Sequence, residues 1–409
     1  MKLKHTPGSH PISNLLLRFL VTRSDRGGFT LIELLVSMII SSLVVSGLLY
    51  LVVEILGVNQ RDASRSDTQR DLQMAMDYIA RDVREATYVY GVTQATKADG
   101  TLDIKESCLY AYDQPVTTPP TAPKSIGRGV NAKCTGLLSF LPPFLTSTTN
   151  IPVLAFWKPE SLPSTMQSAC KTNAQNVGKS SNEAGYNAAL NAIPCVSQRM
   201  YTLVVYSLNT QNSGIWRGKA RIMRYQLPNF LENAVIAPDN VNSGWAAPIA
   251  KDKRPLTWPV GDRTDPTTNV VTTNVNVQNG VPNPTRTTDN VVLTDFVDFK
   301  TDAASTTYQP GYCPSGFDSP SGFSGARFNS AFYVCVRSGS LTAPAGASAA
   351  VAGVAQAAAA AGQGINPEVN IVMRGNAAGQ GGIPLLSGDV PFQMETRVLS
   401  RGVYGKLSN

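Results

Sequence analysis

One apolar run near the N-terminus limits where this chain can fold. Residues 34–53 contain no charged side chain. As a helix that rises about 1.5 Å per residue they would extend about 30 Å, which is the thickness of a bilayer's hydrocarbon layer. The run therefore predicts a membrane-spanning helix. Glu33 places a carboxylate directly beside it, and ionisable groups in membrane segments usually have a function.

The charges before this run predict its orientation. Residues 1–28 contain five Lys and Arg residues, against the single acid Asp25. The positive-inside rule then keeps the N-terminus in the cytoplasm and exports the rest of the chain. An uncleaved signal anchor or a secretory signal peptide would share these properties. A secretory signal, however, is cleaved after its apolar region, whereas Gly27-Gly28 stands before it, and neither alternative explains Glu33.

Residues 28–33 read Gly-Phe-Thr-Leu-Ile-Glu, which resembles the class III signal of type IV pilins and type II secretion pseudopilins. The resemblance implies that a prepilin peptidase cleaves between Gly28 and Phe29 and methylates the new N-terminal Phe29. It also implies that Glu33 pairs with the Phe29 amine of a neighbouring subunit, which offsets the cost of burying both charges and sets the register of a filament. The 28-residue leader is long for the family. The apolar helix also lacks the proline of many major pilins, which favours a minor component.

An apolar stripe predicts that the helix continues beyond the membrane segment. The stripe recurs at helical spacing through Leu72, Met76, Ile79, Val83, Ala86 and Tyr90. Charged residues are predicted to fill the solvent-facing side: Asp71, Asp77, Arg81, Asp82, Arg84 and Glu85. We predict one helix from Phe29 to about Tyr90, whose second half packs on the chain's own globular head.

The remaining residues, 91–409, are predicted to form an exported β-rich head. Eight apolar or β-branched runs read as strands: Leu137–Leu141, Pro152–Trp157, Met200–Leu208, Ala220–Leu227, Val291–Phe299, Ala331–Arg337, Val369–Met373 and Gln393–Leu399. Two low-complexity segments, 262–290 and 340–366, are predicted to be loops, the first of them mobile. The alanine-rich part of the second, residues 343–361, is either a short helix or a disordered insertion.

The predicted fold class is α+β, with a long N-terminal helix packed on an antiparallel sheet, as in type IV pilin-like proteins. The predicted parts are a cleaved leader (1–28), a transmembrane and assembly helix (29–56), its amphipathic continuation (57–90) and the head (91–409).

Six cysteines fall in the predicted head, and an even number outside the cytoplasm favours disulfides. Fifteen connectivities are consistent with six cysteines, and buried free thiols are the alternative. We predict sequential pairing, and Cys170 with Cys195 is the favoured pair because the segment between them lacks a strand pattern and would gain from a cross-link. The remaining cysteines are Cys108, Cys134, Cys313 and Cys335.

Few residues could support catalysis. Both histidines, His5 and His10, lie in the predicted leader, so a processed chain would contain no Ser-His or Cys-His pair and no histidine metal ligand. Asp295 and Asp298 are the residue type that glycosidases use, although scattered surface carboxylates are the commoner explanation. Residues 99–103 indicate a hairpin turn more than a calcium loop. We predict a non-enzymatic protein without a cofactor or metal.

The charge balance argues against nucleic acid as a partner. Most of the formal net charge of +7 belongs to the leader. No dense Lys/Arg patch with interleaved aromatic residues follows it, as nucleic-acid binding would require.

The end of the predicted helix and parts of the head resemble PilW-like minor pilins and GspJ-like pseudopilins in order and type, over residues 71–90, 152–158, 369–376 and 396–403. The nearest resemblance is to cyanobacterial pseudopilins linked to polysaccharide secretion by hormogonia, through residues 76–86 and 88–90. It implies a minor pseudopilin that supports polysaccharide secretion and surface motility. The implied partners are the prepilin peptidase, other pilins or pseudopilins, the inner membrane and an assembly platform. The alternatives are a minor pilin that primes a type IV pilus and a membrane-tethered adhesin, and an exported enzyme ranks last.

Overall fold

The computed structural model describes about half of the chain in detail. The described residues are 30–90, 95–96, 102–103, 109, 137–147, 149–176, 193–211, 215–232, 241–248, 258–264, 268–278, 290–299, 313–314, 317, 320, 331–337, 368–377, 380 and 391–401. The chain divides into two compact units, Met1–Asn59 and Gln60–Asn409.

A helix of 54 residues, α1, runs from Leu31 to Arg84. It begins two residues after the predicted start at Phe29 and ends six residues before the predicted end at Tyr90. The early end coincides with strand pairing: Tyr88 and Val89 are aromatic and β-branched residues that favour a strand, and they pair with Trp157 and Phe156, which are distant in sequence. Tyr90 therefore does not belong to the helical stripe, contrary to the prediction.

The described part of the chain contains twelve strands. They are β1 (Tyr88–Val89), β2 (Ala95–Thr96), β3 (Leu102–Asp103), β4 (Asn150–Ser161), β5 (Arg199–Asn209), β6 (Ala220–Pro228), β7 (Val260–Thr264), β8 (Val271–Asn276), β9 (Asn290–Val297), β10 (Phe332–Val336), β11 (Glu368–Asn376) and β12 (Pro391–Leu399). Seven of the eight predicted strands are confirmed, as β4, β5, β6, β9, β10, β11 and β12.

Eight of these strands form one antiparallel sheet. Its order is β1-β4-β5-β6-β9-β11-β10, and β12 pairs with the opposite edge of β11. Strands β9 and β10 share one edge of β11: the Arg374 N–H donates to the Ala331 carbonyl, and the Arg374 carbonyl accepts from the Asp298 N–H. The predicted architecture of a long helix on an antiparallel sheet is confirmed.

Two sequence predictions in the head are wrong. Leu137–Phe140 is a short 3-10 helix instead of a strand, and its leucines are buried. The prolines at 142 and 143 follow directly and restrict the backbone there. Strands β7 and β8 pair antiparallel. The second half of β7 and all of β8 lie within residues 262–290, the segment predicted as a mobile loop. Their valines and threonines favour strands, so the low-complexity criterion was misleading.

One helix was not predicted from the sequence, and one pair of strands flanks a predicted turn. The helix α2 (Ser164–Asn176) was not predicted, because its sequence is mostly polar and its apolar stripe is short, consisting of Met166, Ala169 and Cys170. Strands β2 and β3 pair antiparallel on either side of the predicted turn at Asp99-Gly100. The turn itself lies outside the described residues, as does all of the predicted loop 340–366.

The apolar side chains of the sheet alternate between two clusters, one on each face. On β5, Val204 and Tyr206 belong to the cluster that contains the helix stripe, whereas Leu203 and Val205 belong to the other. Within the second unit, the predicted stripe from Leu72 to Ala86 packs on the first face. Burial of each large apolar side chain contributes about 1.5–3 kcal/mol. The packing predicted from the stripe is therefore confirmed.

The opposite face of the sheet is covered by connecting segments. Residues 137–147, 241–248 and Trp258 pack there with Tyr90 and Trp157. The Trp157 indole N–H donates to the Tyr90 hydroxyl at 2.9 Å. The chain therefore passes from one face of the sheet to the other at β1.

Candidate assembly site

The first half of α1 presents an uncovered apolar surface. Between Leu31 and Val58 every leucine, isoleucine, valine and methionine is at least 45% exposed. The helix is long and apolar enough to cross a bilayer, and no residue in its most apolar stretch is buried. An exposed apolar surface of this size requires a lipid or protein neighbour.

Thr30 and Glu33 begin this helix with reciprocal hydrogen bonds. Glu33 Oε2 accepts from the Thr30 N–H and from the Thr30 hydroxyl, at 3.1 Å each. The Glu33 N–H in turn lies 3.4 Å from Thr30 Oγ1. This is a capping box, and it also places the carboxylate at the positive end of the helix dipole.

The cap uses one carboxylate oxygen of Glu33 and leaves the other for a further contact. A carboxylate can accept about four hydrogen bonds, and the Glu33 side chain is exposed. The structure thus places Glu33 Oε2 in the cap and leaves Oε1 outside it. Gly28 and Phe29, the predicted cleavage and methylation residues, lie outside the described residues.

A buried charge cluster lies between α1 and the sheet, centred on Asp82. The sequence predicted Asp82 on the solvent side of the helix, and that prediction is wrong: the residue is 6% exposed. Its Oδ1 lies 2.8 Å from Lys158 Nζ, and its Oδ2 lies 2.9 Å from Arg224 Nε. The Tyr206 hydroxyl donates to Oδ2 at 2.7 Å. One helix carboxylate is thereby bonded to three adjacent strands, β4, β5 and β6.

The basic members of this cluster have further partners. Lys158 Nζ also contacts Glu160 Oε1 at 2.7 Å, and the Thr202 hydroxyl donates to Glu160 Oε2 at 2.6 Å. The Arg224 guanidinium lies 5.7 Å from the ring centroid of Tyr78, one helical turn before Asp82. Each buried charge therefore has an opposite charge or polar group at bonding distance, as burial requires.

The cluster stabilises the charged forms of its members. Burial alone would raise the pKa of Asp82, but the charge of Arg224, together with Lys158 and the Tyr206 hydrogen bond, outweighs it and lowers the pKa. Burial would lower the pKa of Lys158, but the hydrogen bonds to Asp82 and Glu160 outweigh that effect and raise it. Burial and the Asp82 charge raise the pKa of Tyr206. Asp82 is thus ionised at neutral pH, and Tyr206 remains a donor.

The acid pair considered for catalysis has structural partners in the head. Asp295 Oδ2 accepts the backbone N–H groups of residues 217 and 218, at 3.1 Å each. Asp298 is 1% exposed, lies 3.0 Å from Arg374 Nε and accepts from Asn376 Nδ2 at 2.9 Å. Asp298 is therefore a buried acid that joins β11 to the end of β9, not the surface carboxylate expected from the sequence.

Two disulfides are present among the described cysteines. Cys170 on α2 is bonded to Cys195, the pair favoured from the sequence, and Cys313 is bonded to Cys335 on β10. Both follow the sequential order. Cys108 and Cys134 lie outside the described residues. No group of three or more metal-binding side chains lies together in the part of the chain that the structure describes.

Sequence reasoning missed Thr30, Lys158 and Arg224, although each had a signal. Thr30 and Glu33 form the Thr-x-x-Glu pattern of a capping box. Lys158 and Arg224 are charged residues within strands whose residues are mostly buried. Cations in such strands require a buried acid, and an acid at the edge of the apolar stripe, such as Asp82, is the natural candidate.

Comparison with known proteins assigns the N-terminal region. Residues 23–49 match the prokaryotic N-terminal methylation motif. No curated protein and no solved structure matches the chain significantly. The long N-terminal helix on an antiparallel sheet has a type IV pilin-like architecture, and the methylation motif lies at the start of that helix. The motif implies processing by a prepilin peptidase and assembly with other pilins.

Proposed function

We propose that this chain is a minor pseudopilin or pilin, a non-enzymatic subunit of a type IV pilus-like assembly that supports polysaccharide secretion and surface motility. The observation that carries the proposal is the methylation motif joined directly to an uncovered apolar helix. A helix with that surface has two suitable environments, a bilayer and a bundle of similar helices. A pilin-like subunit occupies both in turn.

In the first state the apolar helix spans the inner membrane. The basic residues before it keep the N-terminus in the cytoplasm, and the head lies in the periplasm or outside the cell. The prepilin peptidase cleaves after Gly28 and methylates Phe29. In the second state an assembly platform moves the helix into a bundle with other pilins or pseudopilins.

In the bundle, Glu33 accepts the Phe29 amine of a neighbouring subunit. The attraction between the two opposite charges offsets the free-energy cost of removing them from water. The capping hydrogen bonds from Thr30 support this role, since they hold the carboxylate in place before the neighbour arrives. A fixed acceptor loses little conformational entropy on binding.

The substitution Glu33→Leu tests this contact. We expect normal insertion into the membrane, because leucine is more apolar than glutamate, and reduced recovery of the variant in the sheared filament or assembly fraction. Ser37→Ala is the matched control, since that hydroxyl bonds only to the carbonyl of Leu34 in the same helix. Equal incorporation of both variants would contradict the role of Glu33.

Processing is tested by the intact mass and N-terminal sequence of the protein recovered from cells. We expect a chain that begins with N-methylated Phe29. Recovery of a chain that retains Met1 would overturn the proposal as a whole.

The polysaccharide and motility role depends on the resemblance along residues 76–90. A strain without this protein should be scored together for pili, exported polysaccharide and gliding. Loss of polysaccharide with pili intact is the expected result. Loss of pili would assign the chain to pilus priming instead, and glycan binding by the protein with both other traits intact would indicate an adhesin.

A further inference from the structure

A second carboxylate lies at the far end of the apolar surface. Between Leu31 and Val58 the helix has only two charged residues, Glu33 and Glu54. The neighbours of Glu54, Val53 and Ile55, are 67% and 51% exposed. Among the described residues Glu54 has no hydrogen bond or ion pair. Any bundle that buries this surface must supply a partner for Glu54.

The spacing of the two acids suits both environments of the helix. Glu33 and Glu54 are separated by 21 residues, or about 31 Å along an α-helix. In a bilayer they would therefore lie at the two edges of the hydrocarbon, where water can reach them. In a bundle they would lie near its two ends, with the apolar residues between them.

The residues four positions before each acid are both hydrogen-bond donors. Phe29 would supply an amine to Glu33 after cleavage, and Tyr50, four residues before Glu54, has a hydroxyl that can donate. Tyr50 is 75% exposed and has no hydrogen-bond partner among the described residues. A hydrogen-bond donor is thus followed four residues later by a carboxylate at two places in this helix.

The two pairs share one face of a supercoiled helix. Twenty-one residues are three heptads, and in a left-handed bundle with about 3.5 residues per turn, positions three heptads apart lie on the same side. Tyr50 and Glu54 would therefore face the same neighbour as Phe29 and Glu33. A single shift of four residues, about 6 Å between parallel helices, aligns both pairs together.

We propose that in the assembled state the Tyr50 hydroxyl of one copy of this chain donates to Glu54 of an adjacent copy. This contact rests on the proposed function, and it would be a second determinant of register at the opposite end of the helix from Glu33. The partner is a second copy because the chain carries both the donor and the acceptor at the required interval. Parallel helices in contact lie about 8–10 Å apart, a distance that tyrosine and glutamate side chains can span together.

Disulfide trapping tests the geometry directly. Full-length Tyr50→Cys and Glu54→Cys are produced together in cells that form the assembly, oxidised, and separated without reductant. We expect a dimer joined through positions 50 and 54. Val52→Cys produced with Glu54→Cys is the control, because position 52 lies about 200° around the helix from position 50, and that pair should give no dimer.

A second measurement tests the hydrogen bond. Tyr50→Phe removes only the hydroxyl, and we expect recovery in the assembly fraction to fall about three- to tenfold, as for a hydrogen bond between membrane helices. Ser42→Ala removes a hydroxyl bonded to the carbonyl of Ile39 in the same helix and should have no effect. Equal recovery of the two variants would overturn the inference.

The results also separate this inference from the proposed function. If Glu33→Leu fails to assemble but positions 50 and 54 give no dimer, the second contact is wrong and the proposed function stands. A cross-link from position 54 only to a different envelope protein would overturn the choice of a second copy. If Glu33→Leu assembles normally and no dimer forms, the Glu33 contact and the Tyr50–Glu54 contact are both wrong, whereas recovery of a chain that retains Met1 would overturn the proposed function itself.

Discussion

Replacing Asp82 by asparagine should weaken the attachment of α1 to the sheet. The substitution keeps the shape of the side chain and removes its charge, which leaves the buried cations Lys158 and Arg224 with one acid, Glu160, between them. Removing one partner of a buried ion pair costs about 3–5 kcal/mol. Because Lys158 retains its contact with Glu160, we expect the lower end of that range, about 3 kcal/mol.

Urea unfolding of the full chain in detergent would measure this loss. Trp157 and Trp258 are buried with ring centroids 5.4 Å apart, so tryptophan fluorescence should report unfolding of the head. With a urea dependence of about 3 kcal/mol per molar, a loss of about 3 kcal/mol lowers the midpoint by about 1 M. Asp77→Asn is the matched control on the exposed side of the same helix and should change stability by at most about 0.5 kcal/mol.

The double variant Asp82→Asn with Arg224→Gln distinguishes an ion pair from simple packing. If the two charges interact, the double variant should lose less stability than the sum of the single variants, since neither charge is then left unpaired. Additive losses, or equal losses for Asp82→Asn and Asp77→Asn, would refute the assignment of Asp82 as the centre of the cluster.

The pH dependence of stability and the close approach at Gly375 give two further predictions. The pKa of Asp82 is lowered from 3.8, so its contribution to the free energy of unfolding is present above pH 3.8 and is lost as the pH falls through the folded-state pKa. The pKa of Lys158 is raised from 10.5, so its contribution is present below pH 10.5 and is lost as the pH rises through the folded-state pKa. Urea midpoints measured from about pH 2 to about pH 12 should show both losses, and Asp82→Asn should reduce the loss on the acid side. A Cβ at Gly375 would collide with Leu72 of α1, so Gly375→Val should lower the midpoint by an amount equivalent to about 1–3 kcal/mol, and an unchanged midpoint would show that the contact is loose.

Regular apolar patterns explain which parts of the fold were predictable. The stripe from Leu72 to Val83 has the helical period, and each main strand contains an apolar run bounded by turn residues, so both could be identified from local sequence. The end of α1 could not, because it depends on the pairing of β1 with β4, which are distant in sequence. The apolar run at Leu137 could not be assigned from local sequence either, because a short buried apolar run is compatible with both a strand and a 3-10 helix.

The candidate site was predictable only where the motif is contiguous. Residues 28–33 lie together in the sequence, so Glu33 could be singled out without a fold. The Asp82 cluster joins one residue of α1 to Lys158, Tyr206 and Arg224 on three strands, and no local pattern specifies that meeting. A charge-based rule assigns Asp82 to solvent, whereas long-range pairing decides its position.

The capping box at Thr30 has a consequence for maturation. The donor to Glu33 is the peptide N–H between Phe29 and Thr30, and this group remains when the bond after Gly28 is cut. Cleavage would therefore leave the start of the helix folded and create one new positive charge, a residue away from its first turn. An ammonium group there is repelled by the positive end of the helix dipole. Contact between this ammonium group and the Glu33 carboxylate of a neighbouring subunit would offset that repulsion.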